Sequence, residues 1–296
     1  LNMGGPRRNK DVKDFQTCLF EDPYLIRFPL SFLLQKVFAW LLISFRLKAV
    51  EDRYQQIGGG SPIYRSTTAQ ARALRKELKK QKIPVDVTFS FNYSPPFPKD
   101  TILKLKRAGK KYLLPISLYP HYSKATTGSN LFYLEKAAKE HYPDVTFIPG
   151  ANYYLNESYI QAFVDRIYET ISTDESLEDF YLIFSAHGLP LYFLTEGDQY
   201  PYQISQTVAA IIGRINRTSN WTISYQSSVG PLQWMKPSTD DILKALYVRG
   251  VRKVLVIPVA FVGGGIHASQ LDTMYGALPS PQAMQALADH YGMRPT

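Results

Sequence analysis

Residues 181–190 read Tyr-Leu-Ile-Phe-Ser-Ala-His-Gly-Leu-Pro, and the reading of this stretch decides the fold. Tyr181–Ser185 is a short apolar and aromatic run, the pattern of a strand buried inside a sheet. It closes on His187-Gly188, so the His187 imidazole belongs at the mouth of that strand, with a glycine leaving backbone room beside it.

Working outward, similar runs at Val85–Phe91, Tyr112–Leu118, Val145–Ile148, Trp221–Tyr225 and Val254–Phe261 predict further strands. Between them, helix-like patterns cover Thr67–Lys82, Lys99–Ala108, Ser129–Tyr142, Glu157–Ser172, Gln203–Asn216 and Thr239–Val248. Ser238 is placed to cap the last of these and Gly250 to end it. Strand followed by helix, repeated, means an α/β fold with parallel sheets covered on both faces.

Open parallel sheets bind ligands beyond the carboxyl ends of their strands. The loops at those ends hold Asn92-Tyr93, Tyr119-Pro-His-Tyr122, Ala186-His187-Gly188, Gln226-Ser-Ser228 and Val262-Gly-Gly-Gly265. Carboxylates are nearly missing from that set. It suits a large, flat, aromatic ligand better than hydrolysis.

Composition narrows the classes. A chain of 296 residues exceeds the usual single-domain size, so two domains are expected. The 45% of hydrophobic residues excludes disorder. One cysteine, Cys18, allows no disulfide within the chain and no Cys-ligated iron–sulfur cluster, and it fits a reducing, cytoplasmic setting. A net charge of +9 admits three kinds of partner: nucleic acid, an anionic membrane surface or a polyanionic small molecule. The cations are scattered, not gathered among aromatics, which argues against nucleic acid. The sequence opens at Leu1 without an initiator Met or a charged-then-apolar leader, as expected of a chain cut at its start.

Phe28–Val50 invites a membrane reading, but its longest apolar run, Val37–Phe45, has about nine residues against roughly twenty for a span. Two readings stand level. One is an interfacial helix with Phe38, Trp40, Leu41 and Phe45 in the bilayer surface and Lys36, Arg46 and Lys48 near headgroups. The other is a buried core helix.

Six motifs occur in a fixed order: Asn2-Met-Gly-Gly-Pro6; Ile57-Gly-Gly-Gly-Ser-Pro-Ile63; Leu118-Tyr-Pro-His-Tyr-Ser123 with Thr126-Thr-Gly-Ser129; Ser185-Ala-His-Gly-Leu-Pro190; Gly197-Asp-Gln-Tyr-Pro201; and Gln226-Ser-Ser-Val-Gly-Pro231. Together they resemble the ferrochelatase family over about nine-tenths of the chain. The resemblance implies two Rossmann-like domains with a cleft between them, a chelatase-like arrangement. One domain would span residues 1–118, completed by 277–296, and the other 119–276. It also implies insertion of ferrous iron into protoporphyrin IX or coproporphyrin III to make haem. Fe2+ would be a substrate, with no tightly bound cofactor and no iron–sulfur cluster.

His187 matches the family's metal-site histidine. A neutral imidazole binds ferrous iron and also accepts protons near neutral pH, and insertion expels two pyrrole N–H protons. Gly59 and Ser61, in the glycine stretch that opens into a helix, match an anion cradle for a propionate; a tight turn needing glycine conformations is the competing reading. The Lys-Ser/Thr ending of a nucleotide loop is missing there. Tyr93 stands where the family has an Arg-Tyr pair, with Asn92 in the arginine's place. Tyr119 would cover a macrocycle face or bond a carboxylate, with interdomain packing as the alternative. Asp198 is read as fixing a loop.

After Phe261-Val262 the resemblance breaks. The family runs Ser-Asp/Glu-His-Ile-Glu-Thr-Leu, whereas this chain has Gly263-Gly-Gly-Ile-His-Ala-Ser-Gln-Leu271, with His267 at the glutamate position. A disturbed reading frame, a diverged paralogue and replacement of the carboxylate by His267 would each account for this. An enzyme is expected; the alternative is a catalytically impaired porphyrin- or haem-binding protein.

Overall fold

The computed structural model describes residues 1–27, 31–228 and 232–260. The Gly263–Leu271 segment, His267 and residues 277–296 lie outside the described residues.

Two compact units divide between Asn152 and Tyr153, later than the expected boundary at 118. The reason is a strand pair: β1 (Tyr112–Leu113) and β2 (Thr146–Phe147) run parallel, which keeps the intervening chain in the first unit. That chain holds α5 (Ser129–His141), which with α4 (Pro98–Arg107) covers one face of the pair. Ile102, Leu134, Ala137 and Ala138 pack there against Leu113, Val145 and Phe147. Residues 1–3 add a central extended segment. Asn2 N donates to Ser90 O (3.1 Å), Tyr93 N to Met3 O (2.9 Å) and Leu118 N to Leu1 O (2.8 Å). The predicted strand Val85–Phe91 therefore pairs only at its end, through a bridge between Asn2 and Phe91. Its start is solvent-facing, as the exposed Val85 shows. The first unit also holds α1 (Val12–Phe20), α2 (Ser31–Gln56) and α3 (Ile63–Lys80).

The second unit is built on three parallel strands in the order β4-β3-β5: β3 (Tyr181–His187), β4 (Trp221–Gln226) and β5 (Val254–Pro258). Leu182, Ile183, Phe184 and Ala186 of β3 are fully buried, each large one contributing about 1.5–3 kcal/mol. Ile183 packs with Leu243 and Leu246 of α9 (Thr239–Val248), and alternation turns Leu182 and Phe184 to the opposite face. The expected cap is present: Ser238 Oγ accepts from Asp241 N at 3.0 Å. The short α7 (Tyr192–Thr195) precedes α8 (Tyr200–Arg214). In α8 the buried residues Tyr200, Gln203, Ile204, Thr207, Val208, Ile211 and Ile212 recur at three- and four-residue intervals, the stripe of a helix lying on a core. Strand β5 stops at Pro258, where the ladder loses a donor; Phe261, expected at its end, lies outside the described residues.

Candidate functional site

His187 ends β3, with a buried strand behind it and its own side chain only partly buried. Two residues back, Ser185 and Ser224 are register partners, and both hydroxyls lie 2.9 Å from Thr239 Oγ1. This ties the start of α9 to the strands just beneath the mouth. His187 itself pairs in register with Gln226. Gly188 N then donates to Gln226 O at 2.7 Å, and a Cβ at residue 188 would meet the Gln226 and Ser227 carbonyl oxygens at 3.2 Å. The room beside His187 is thus filled by the β4 backbone, which explains the glycine. Ser227, next along, adopts a left-handed φ of 69°, a conformation that non-glycine residues hold only when their surroundings enforce it.

The Gly197–Pro201 motif packs against the same strand end. Asp198 Oδ1 accepts from Tyr200 N at 3.0 Å, so Asp198 fixes the loop into α8, as its sequence suggests. The Tyr200 hydroxyl donates to His187 O at 3.0 Å. Tyr200 was not singled out from sequence. Its signal was a tyrosine in the first turn of a helix, two residues after an anchoring aspartate.

In the first unit the predicted residues lie differently. Gly59 has φ +83° and its N–H donates to Tyr54 O at 2.8 Å, while Gly58 N donates to Gln55 O at 3.2 Å. These residues end α2 with the left-handed turn that glycine permits. Ser61 N donates to Pro6 O at 2.7 Å, and Ser61 Oγ accepts from Ile63 N at 3.3 Å. The N–H groups of Gly59 and Ser61 thus serve the protein's own carbonyls. That is the arrangement of the tight-turn reading.

Tyr93 is 5% exposed and its hydroxyl donates to Asp22 Oδ2 at 2.5 Å. Ser129 Oγ (3.2 Å to Oδ2), Tyr133 Oη (2.8 Å to Oδ1) and Tyr24 N (2.8 Å to Oδ1) donate to the same carboxylate. Burial and the Asp22 carboxylate push the Tyr93 phenol far above its usual range, so it stays protonated and donating. Asp22 escaped the sequence reading because an Asp-Pro step after a helix looks like an ordinary turn. Tyr119, in the loop well beyond β1, is partly buried, and desolvation raises its phenol as well. His121 is buried, and desolvation lowers its imidazole to about 3, so it is neutral at working pH.

The described residues contain no group of three or more His, Cys, Asp or Glu side chains placed to hold a metal ion.

Comparisons with known proteins fit this geometry. A family model described as Ferrochelatase matches residues 1–270. A curated ferrochelatase of Gloeothece citriformis is 37% identical, covering 98% of this chain and 75% of the relative. One from Synechococcus elongatus is 37% identical over 93% of this chain and 72% of the relative. A third, from Gloeobacter violaceus, is 35% identical over 91% and 83%. Among solved structures, SirB from Bacillus subtilis with Fe3+ superposes with a TM-score of 0.50 at 14% identity, covering 76% of this chain and 79% of that one, a likeness of fold.

Proposed function

Because the chain belongs to the ferrochelatase family, we propose that it inserts ferrous iron into a porphyrin, protoporphyrin IX or coproporphyrin III, with His187 at the reacting centre. The observation that carries the assignment of His187 is its place: a partly exposed residue ending a strand buried from Leu182 to Ala186, held by backbone bonds from both neighbours. Two pyrrole N–H protons must leave as the iron enters. The imidazole can receive one of them or hand over the metal, since a neutral ring has one free lone pair for either task. Fe2+ enters as a substrate and no tightly bound cofactor is needed. Tyr119 is the first-unit residue we retain for a porphyrin carboxylate, as a partly exposed phenol.

The carrier alternative gains no support: the relatives above are all named for the enzyme. The test is anaerobic mixing of pure protein, porphyrin and Fe2+, read as metal-dependent loss of free-porphyrin fluorescence. His187→Ala should keep its fold and porphyrin binding while insertion slows at least a hundredfold. Near-normal insertion by that variant would end the assignment.

Peripheral contact with an anionic membrane belongs to the same reading, in a cytoplasmic setting and with no nucleic-acid partner. Among the described residues no helix is long and apolar enough to cross a membrane. α2 instead exposes Val37, Trp40 (64%), Leu41 and Phe45 (86%) along one stripe, with Lys36 and Lys48 also exposed. Phe38, first assigned to that stripe, is partly buried, and Ala39 and Ile43 form the inward face. Sedimentation with anionic liposomes should be strong at low salt and weaken at high salt. Failure to sediment at low salt would remove the contact.

A further inference from the structure

Resting on the role just given to His187, we infer that Tyr200 is a positioning residue for the reaction: its hydroxyl bonds the His187 carbonyl and fixes the backbone from which the His187 imidazole projects. The argument starts from strand geometry. Carbonyls two residues apart on a strand point to the same side. Ser185 O accepts from Val259 N at 3.1 Å, which sets the β5 side. The next carbonyl on that side is that of His187, and the β3–β5 register has already ended at the Ser185–Pro258 pair. There the Tyr200 hydroxyl arrives, 3.0 Å from His187 O.

On the β4 side the ladder continues past His187, through Gly188 N to Gln226 O at 2.7 Å. The peptide units around His187 are therefore gripped from both sides, by a strand on one and a phenol on the other. The phenol is itself held: Tyr200 is 5% exposed, its N–H is fixed by Asp198 Oδ1 at 3.0 Å, and Asp198 N donates to Phe193 O at 3.0 Å. An α8 anchored in this way transmits the position of the helix to the imidazole. Freed from that grip, the imidazole would sample positions off the line to the pyrrole nitrogens, and displacements near 1 Å are costly to rate.

Strand β3 supplies its own control. At its opposite end the Tyr181 hydroxyl donates to Trp221 O at 3.2 Å, the same chemistry on the same sheet, far from the mouth. A purely structural role would make Tyr200→Phe and Tyr181→Phe behave alike.

The experiment measures kcat and porphyrin KM for anaerobic iron insertion, with thermal melting, in the full chain and in Tyr200→Phe, Tyr181→Phe, Asp198→Asn and His187→Ala. Tyr200→Phe should lose about tenfold in kcat, with KM within about twofold. Tyr181→Phe should melt lower by a similar amount with kcat within about twofold. Asp198→Asn should lower kcat in the same direction by less, and it decides the matter should Tyr200→Phe fail to fold. Equal kcat in the two tyrosine variants, or an unchanged kcat in Asp198→Asn where it has to decide, overturns the inference. Insertion by His187→Ala at the normal rate would instead overturn the parent reading, whatever Tyr200→Phe does.

Discussion

The polar clusters of the two units are built on opposite plans. In the first unit the polar side chains close on one another: three hydroxyls and an N–H converge on Asp22, and the glycine turn spends its amides on neighbouring carbonyls. In the second unit the backbone is clamped: Gly188 N and the Tyr200 hydroxyl grip the peptide, and His187 remains partly exposed. A hydroxyl given to an internal carboxylate contributes to stability and is withdrawn from ligands. A side chain whose backbone is fixed from both sides is available for chemistry in a set position.

Paired substitutions should separate these plans most strongly. His187→Ala is expected to cost at least a hundredfold in insertion rate, equivalent to about 3 kcal/mol or more of barrier, with little change in melting temperature. Asp22→Ala should do the reverse. It orphans the buried hydroxyls of Tyr93 and Ser129 and loses a charged acceptor, so denaturant melts should show a loss of about 3 kcal/mol, with kcat per folded molecule within about threefold. Should Asp22→Ala instead abolish insertion at full stability, the first-unit network belongs to the reaction and the contrast is broken.

A smaller effect, on the order of 2 kcal/mol, is expected from pH and is confined to the first unit. Burial lowers the His121 imidazole to about 3, whereas in the unfolded chain it titrates near 6.5. Between those values the unfolded state binds a proton that the folded state refuses, so stability falls as pH drops below about 6.5 and levels off near 3. From pH 6.5 to 5 the loss attributable to this group is about 2 kcal/mol. Subtracting the pH–stability curve of His121→Gln from that of the parent should isolate it. A difference curve flat across pH 6.5–5 would show that the imidazole titrates alike in the folded and unfolded chain.

What the sequence disclosed follows the same division. Strands β3 and β4, the span of α9 and the Ser238 cap were legible because each rests on local pattern: a run of buried residues, a period, a capping hydroxyl. His187 was legible because it follows such a run directly. Tyr200 and Asp22 were not, because their significance lies in partners 13 and 107 residues away, the His187 carbonyl and the Ser129 hydroxyl. Strand Val85–Phe91 misled for a related reason: its β-branched residues suit a sheet, but among the described residues its pairing is the single bridge between Phe91 and Asn2. Gly59 and Ser61 misled because a glycine-rich turn looks the same from sequence whether its amides face a ligand or its own helix.

The smallest effect tests that last ambiguity. If the glycine turn serves only to end α2, Gly59→Ala should cost about 1–2 kcal/mol from the +83° φ alone, and the porphyrin KM should stay within about twofold. Ser238→Ala in the second unit, which removes a 3.0 Å cap on α9, should cost a similar 1 kcal/mol. Because α9 is tied through Thr239 to Ser185 and Ser224, two residues behind His187, that variant should also lower kcat by a few-fold. Equal stability losses with unequal kcat would show that strain reaches the reacting centre only through the second unit. A KM rise confined to Gly59→Ala would restore a ligand-binding role to the glycine turn.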